Sequence, residues 1–400
     1  MSKEVTQLDR RNFLLLSSAS ALASFSGSSL ALSSANTEKR LVLIILRGGL
    51  DALHALPPYA DRDYKILRPN LALGVTSDEH SVIDLDGYFG LHPALKHLKD
   101  LYASKELLIF PASASRYRRR SHFDAQNFLE NGSGKPFGLK DGWLNRSIMG
   151  LNYEDRRAGL ALGPTVPLII QGQGSVQTWS QSSLPLADED FLTRLERIYG
   201  NDPLFAKAYA NARGGRRPEG TMEQGRKRKR RHKFPDLAKI AGGFLKEPSG
   251  PRIAVMEMQG WDTHFGQSWR LTKLFREYSE GLDQLKKTLG NAWSDTAVLT
   301  VSEFGRTVAE NGSRGTDHGT GGLAFMAGGS LNGGKLIGAW PGLNSKALYE
   351  GRDLTPSNAY EGLFKAALIS HLGLKQSFVE DKVFPNSAAI RPMEQLFRMG

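Results

Sequence analysis

Leu41-Val42-Leu43-Ile44-Ile45-Leu46 is an unbroken apolar run, and Arg47-Gly48-Gly49-Leu50-Asp51 closes it. Six consecutive aliphatic side chains do not suit a strand with one wet face. They read as a strand covered on both faces, which is the pattern of a parallel sheet. Similar short runs stand at 107–110, 166–170, 253–258, 297–301 and 323–327. Helical patterns lie among them at 93–103, 122–130, 188–199, 235–245, 267–289 and 358–372. Strands alternating with helices imply βαβ units. The expected fold class is α/β, with a mostly parallel central sheet and helices on both faces. Ligands of such sheets bind beyond the carboxyl ends of the strands, so the residues just after each run carry the functional reading.

Composition narrows the chemistry. The chain has 400 residues, 40% of them apolar and 23% charged, as in a soluble globular protein. No apolar stretch of membrane-spanning length follows the N-terminal segment. There is no cysteine, which excludes disulfides, thiolate nucleophiles and Cys-ligated zinc. A metal would have to bind through His, Asp, Glu, Ser or Thr.

The net charge of +11 is uneven: residues 213–233 hold ten Lys and Arg against Glu219 and Glu223, so +8 of it lies in one segment. Residues 211–233 combine Gly, Pro and like charges, and are expected to form a mobile basic loop. The segment lacks interleaved aromatics, so no nucleic-acid partner is expected; an anionic lipid or polysaccharide surface is the functional version of its charge.

The first 35 residues read as an address. Arg10-Arg11-Asn12-Phe13-Leu14 precedes a modest apolar stretch at 14–23, and Ser33-Ser34-Ala35 offers small residues for cleavage. This order matches a twin-arginine signal. The expectation is a signal at 1–35, a single domain at 36–400, export through the twin-arginine translocase, and a periplasmic or extracellular location.

Four strand ends hold reactive side chains. Asp51 follows the first run, either as a ligand or as a helix N-cap. Ser121 opens the helix at 122–130, behind Arg116, Arg118, Arg119 and Arg120. A serine among free helix N–H groups with arginines upstream suits an anion site, with Ser121 as nucleophile or ligand, or else it is an ordinary cap beside a solvated basic loop. Ser121, His122 and Arg120 form the candidate catalytic group. Gly260-Trp261-Asp262-Thr263-His264 follows the run at 253–258, so Asp262 and His264 can turn toward one ion or form an Asp–His hydrogen bond that stabilises a turn. Ser302-Glu303-Phe304-Gly305-Arg306-Thr307 follows 297–301, and Asp317-His318-Gly319 precedes 323–327. Glu303 reads as a ligand or as a surface ion pair with Arg306, and His318 as a ligand or a turn histidine. The candidate metal set is Asp51, Asp262, His264, Glu303 and His318.

Taken in this order, these motifs, with Asp141-Gly142-Trp143-Leu144-Asn145-Arg146 and Arg352-Asp353-Leu354-Thr355, resemble the secreted family known as domain of unknown function 1501. That family is grouped with the alkaline phosphatase, sulfatase and cofactor-independent phosphoglycerate mutase superfamily. The resemblance implies an alkaline phosphatase-like fold and an exported, metal-dependent hydrolase of phosphate or sulfate esters. Its substrate would be an anionic ester on a small molecule or polysaccharide. Ser121 would be the nucleophile, and Asp51, Asp262, His264, Glu303 and His318 would hold divalent metal (Zn, Mn, Ca or Mg). Phe304 stands where the superfamily places a ligand His, and Glu303 where it places Asp. One site would then lack an imidazole. A non-catalytic, envelope-associated binding protein that keeps the fold is the alternative.

Overall fold

The computed structural model describes residues 37–78, 81–151, 158–180, 189–200 and 233–398, with Asp202, Ala206 and Tyr209. The expected signal at 1–35 and the basic segment 211–233, Lys233 excepted, lie outside the described residues.

The strands are β1 (Arg40–Arg47), β2 (Ile83–Asp84), β3 (Gly90–Leu91), β4 (Leu107–Ala114), β5 (Gly159–Leu162), β6 (Val176–Trp179), β7 (Ile253–Gln259), β8 (Thr296–Val301), β9 (Gly322–Ala327), β10 (Lys335–Leu336) and β11 (Asn358–Ala359). The helices are α1 (Ala52–Ala55), α2 (Arg62–Leu67), α3 (Lys96–Ala103), α4 (His122–Asn131), α5 (Trp143–Met149), α6 (Glu189–Tyr199), α7 (Phe234–Leu245), α8 (Gln267–Leu289) and α9 (Tyr360–Ala366), with short 3-10 and π turns between. The main sheet runs β10-β4-β9-β8-β1-β7-β5-β6, and β11 also pairs with β4.

β1 sits in the middle and is parallel to both β7 and β8. All eight of its residues are buried. Val42, Ile44 and Leu46 enter one hydrophobic core, which holds Phe275, Tyr278 and Leu282 of α8 and Ala238 and Ala241 of α7. Leu41, Leu43 and Ile45 enter the other, with Trp143 and Leu144 of α5 and Leu363 and Phe364 of α9. Alternation along an extended chain thus delivers one continuous apolar run to two layers. Each such aliphatic burial contributes about 1.5–3 kcal/mol. The mixed, mostly parallel sheet with helices on both faces matches the expected class.

The structure corrects two readings and fixes one direction that the sequence left open. β9 is antiparallel to both neighbours, β4 and β8. The run at 166–170 is not a strand: Leu168–Ile170 form a 3-10 turn behind Pro167, with Ile169 and Ile170 buried. Proline inside a short apolar run removes a ladder donor, which tells against a central strand. The strand at that level is β5, pairing with β7 and β6. The pattern at 358–372 begins as the two-residue β11, becomes helical at Tyr360 and ends in a π turn at Ala367–His371.

Candidate functional site

The carboxyl ends of β1, β7 and β8, with the loop entering β9, gather one polar centre. Gly48 and Gly49 make the approach possible. A Cβ on Gly48 would meet the backbone N of Asp262 at 2.3 Å, and one on Gly49 would meet the Phe304 ring at 2.9 Å. Both have positive φ, +124° and +83°, which glycine adopts without the Cβ penalty.

Three imidazoles converge there. His122 Nε2 and His318 Nε2 lie 3.0 Å apart. His264 Nε2 lies 3.1 Å from His318 Nε2 and 2.9 Å from Asp262 Oδ1. Asp262 Oδ1 is 3.2 Å from His318 Nε2, and Asp262 Oδ2 is 3.5 Å from His122 Nε2. Among the described residues, His122, Asp262 and His318 each offer one ligand atom, and these lie within 4.8 Å of one another.

The opposite ring nitrogens decide what this convergence means. His122 Nδ1 faces Glu303 Oε1 at 2.9 Å, His264 Nδ1 faces Asp317 Oδ1 at 3.0 Å, and His318 Nδ1 faces the Arg120 carbonyl oxygen at 3.0 Å. Each partner is an oxygen acceptor, so each assigns the proton to Nδ1. Three Nε2 lone pairs then confront one another and a carboxylate. Acceptors facing acceptors at such distances are relieved by a proton on one Nε2 or by a cation between them. Histidines oriented by a carboxylate or carbonyl on the far nitrogen are the usual support of a bound metal ion. The nitrogen-rich donor set suits a borderline ion such as Zn better than Ca or Mg.

Each support is built into the fold. Glu303 is buried and also accepts from Gly48 N at 2.9 Å, Ser302 Oγ at 3.0 Å and Gln126 Nε2 at 3.0 Å. Burial works against its charge, yet bonds from His122 and Gln126 hold its carboxyl below the usual carboxylate range. In return the Glu303 hydrogen bond raises His122, against burial. His318 is lowered, chiefly by burial. Asp262 is lowered although burial opposes it, because Arg306 Nη1 donates to Oδ1 at 2.7 Å. Asp317 is lowered by its bond to His264. Asp262 and His264 are each more than two-fifths exposed, so the cluster opens toward solvent.

Several sequence expectations change place. Asp51 is not among the converging groups. It caps α1, accepting from Leu53 N and His54 N, pairs with Arg68 at 2.7 Å and accepts from Gln267 Nε2. The cap reading of Asp51 is the one the geometry carries. Arg306 pairs with Asp262 rather than with Glu303. Glu303 touches His122 and stands behind it. His122, grouped with the catalytic candidates, aims its Nε2 at the cluster.

Ser121 is exposed at the cap position of α4 but makes no side-chain cap bond. The nearby Tyr117 hydroxyl donates to Asp124 Oδ2 at 3.1 Å. Arg120 donates to Asp353 at 2.8 Å and Glu350 at 2.5 Å. Phe304 lies under the imidazoles, 4.7 Å from the His122 ring and 5.0 Å from the His318 ring. Gln126 was missed by sequence reasoning. Its only signal is the spacing of four from His122, one helical turn.

Replacing Glu303 by Gln keeps the shape but removes the charge that orients His122. The expected result is a metal affinity lower by about 10–100-fold, measured by competition with a chromophoric chelator.

A family model described as protein of unknown function (DUF1501) matches residues 116–371. No curated protein matches the chain. Among solved structures it is similar to a protein in the alkaline phosphatase superfamily from Vibrio parahaemolyticus (13% identity, 80% of this chain and 69% of that one, TM-score 0.36). It is also similar to a putative sulfatase from Bacteroides thetaiotaomicron (10% identity, 75% and 67%, TM-score 0.37). A third is the C-terminal periplasmic domain of EcEptC from Escherichia coli in complex with Zn (11% identity, 73% of each chain, TM-score 0.36).

Proposed function

Since this chain belongs to the DUF1501 family, whose model spans α4 to the turn after α9 and so contains His122, Asp262, His264, Glu303 and His318, we propose that it is an exported, metal-dependent hydrolase of phosphate or sulfate esters. The observation that carries the reading is the set of three Nδ1-anchored histidines whose Nε2 atoms meet at Asp262.

His122, His264, His318 and Asp262 would hold a single divalent ion. Phe304 favours one ion over two, because a buried apolar ring fills the space beneath His122 and His318. Such an ion supplies a Lewis acid for the ester oxygen and lowers the pKa of a bound hydroxyl or water. The rest belongs to this chain. Ser121 is bracketed along the backbone by Arg120, whose carbonyl holds His318, and by His122. The free N–H groups at the start of α4 and the exposed Arg119 are suited to receive the ester's anionic oxygens.

The test is a panel of phosphate, phosphonate and sulfate monoesters with the metal-loaded protein. Ser121→Ala is expected to lower kcat by at least about 1000-fold if a covalent step runs through that oxygen, with metal content unchanged. A wild-type protein that carries metal yet turns over no ester sinks the hydrolase reading.

Export rests on the Arg10-Arg11 motif and the apolar stretch behind it. Arg10→Lys combined with Arg11→Lys is expected to leave the chain uncleaved in the cytoplasmic fraction, as read by fractionation and immunoblotting. Unchanged export of the double variant refutes the twin-arginine route.

A further inference from the structure

A cleft of about 340 Å³ opens beside the histidine cluster, between the start of α4 and the ends of β1 and β7. That size is within the range of small-ligand sites. Its floor holds one guanidinium against two carboxylates: Arg47 Nη1 meets Glu130 Oε1 at 2.6 Å, and Arg47 Nε meets Glu257 Oε1 at 2.6 Å. Such a floor does not attract an anion. Its wall is aromatic. Phe123 and Phe137 are 74% and 57% exposed, with ring centroids 5.6 Å apart. Two large apolar rings held together in water mark a place where something docks.

The remaining lining atoms narrow the occupant. Asn127 uses Oδ1 to accept from Asn131 Nδ2 and Phe137 N, and its Nδ2 donors have no partner among the described residues. Gln126 gives Nε2 to Glu303, and its Oε1 has no partner among the described residues. Glu257 Oε2 and the whole amide of the exposed Gln259 have no partner among the described residues. Donors and acceptors are therefore offered side by side. A phosphate or sulfate group takes donors only, an ammonium takes acceptors only, and an alkyl chain takes neither. A sugar ring takes both through its hydroxyls, and lays its C–H face on an aromatic ring.

We propose that this cleft is a saccharide subsite, so that the ester cleaved at the cluster is carried on an uncharged sugar ring. The second half rests on the hydrolase reading; the binding half does not. The link is short. Phe123 follows His122 in α4, and Gln126 joins the cleft to Glu303 and through it to His122.

The test separates the two halves. Ester-free hexasaccharides of glucose, xylose, galactose, mannose and N-acetylglucosamine are titrated calorimetrically into the full chain and into its Phe123→Ala, Phe137→Ala and His318→Ala variants. At least one hexasaccharide is expected to bind. Each Phe substitution is expected to weaken it by about tenfold, while His318→Ala leaves binding within about twofold. Both rings are exposed, so these variants are not expected to unfold. Failure of every hexasaccharide to bind at millimolar concentration overturns the proposal, as does binding indifferent to both Phe substitutions. Saccharide binding without turnover of any ester leaves the subsite standing and removes the hydrolase reading alone.

Discussion

His318→Ala protein is expected to fold normally and to purify without metal, while the wild type binds about one ion per chain. His318 is the hub of the cluster: its Nε2 lies within 3.2 Å of His122 Nε2, His264 Nε2 and Asp262 Oδ1. Removing an outer carboxylate costs about 10–100-fold in affinity, and removing a ligand costs more than about 100-fold. Metal analysis by mass spectrometry after dialysis against a limiting chelator reads the difference. A protein that keeps its metal without His318 ends the assignment.

The same experiment has a pH arm. Protons compete with the ion for each Nε2. Glu303 raises His122 above the ordinary histidine value of 6.5. Competition at His122 therefore begins at a higher pH than for a free histidine, and affinity falls as pH drops through that range. In the Glu303→Gln variant the competition is expected to move to lower pH, even though the overall affinity is weaker.

The second large effect concerns stability. Asp51→Ala is expected to lower the unfolding free energy by about 3–5 kcal/mol, because it strands Arg68 as a buried, unpaired charge. Arg68 is fully buried, pairs with Asp51 at 2.7 Å, and donates from Nε to the Val308 carbonyl and from Nη2 to the Thr307 carbonyl. That loss is a large part of a typical total of about 5–15 kcal/mol. Urea unfolding reads it as a lower midpoint with an unchanged slope. Asp51→Ala combined with Arg68→Met is expected to be less unstable than Asp51→Ala alone. Burial raises the Asp51 carboxyl, but Arg68 overrides it and the folded value lies below the ordinary one. Its contribution is therefore complete above the unfolded pKa and is lost as pH falls through the folded one. Metal content of Asp51→Ala protein is expected to match the wild type, since its oxygens are occupied by the α1 cap, Arg68 and Gln267.

These two sites differ in how far the sequence announces them. The strand ends were legible because apolar runs closed by Gly-rich turns carry a local signal. The boundaries of α8 at Gln267 and Leu289 can be read directly from the pattern. The reversed direction of β9 could not be read, because Leu323-Ala324-Phe325-Met326-Ala327 is equally apolar either way along the sheet. Four-residue β5 was too short to stand out, and the Val166–Ile170 run drew the assignment instead.

Within the site, the reactive residue types pointed to the right edge of the sheet. Their division of labour did not follow. Asp51 and Arg68 meet 17 positions apart, with no regular periodicity to foretell the pair. Glu303 stands behind His122 only because Gly48 and Gln126 hold it there. Such partnerships are made by tertiary packing alone.

The tethers on the far side of each imidazole come from parts of the chain that do not depend on an ion: a carboxylate after β8, a carboxylate in the loop before β9, and a main-chain carbonyl ahead of α4. Rotational freedom of the rings is thus surrendered during folding itself. Loading becomes a local exchange of protons for a cation, unlike in small zinc modules, whose chain stays random until the ion arrives. A molecule so arranged can finish folding in one compartment and take its ion from another, with the choice among competing ions left to their abundance where it comes to rest.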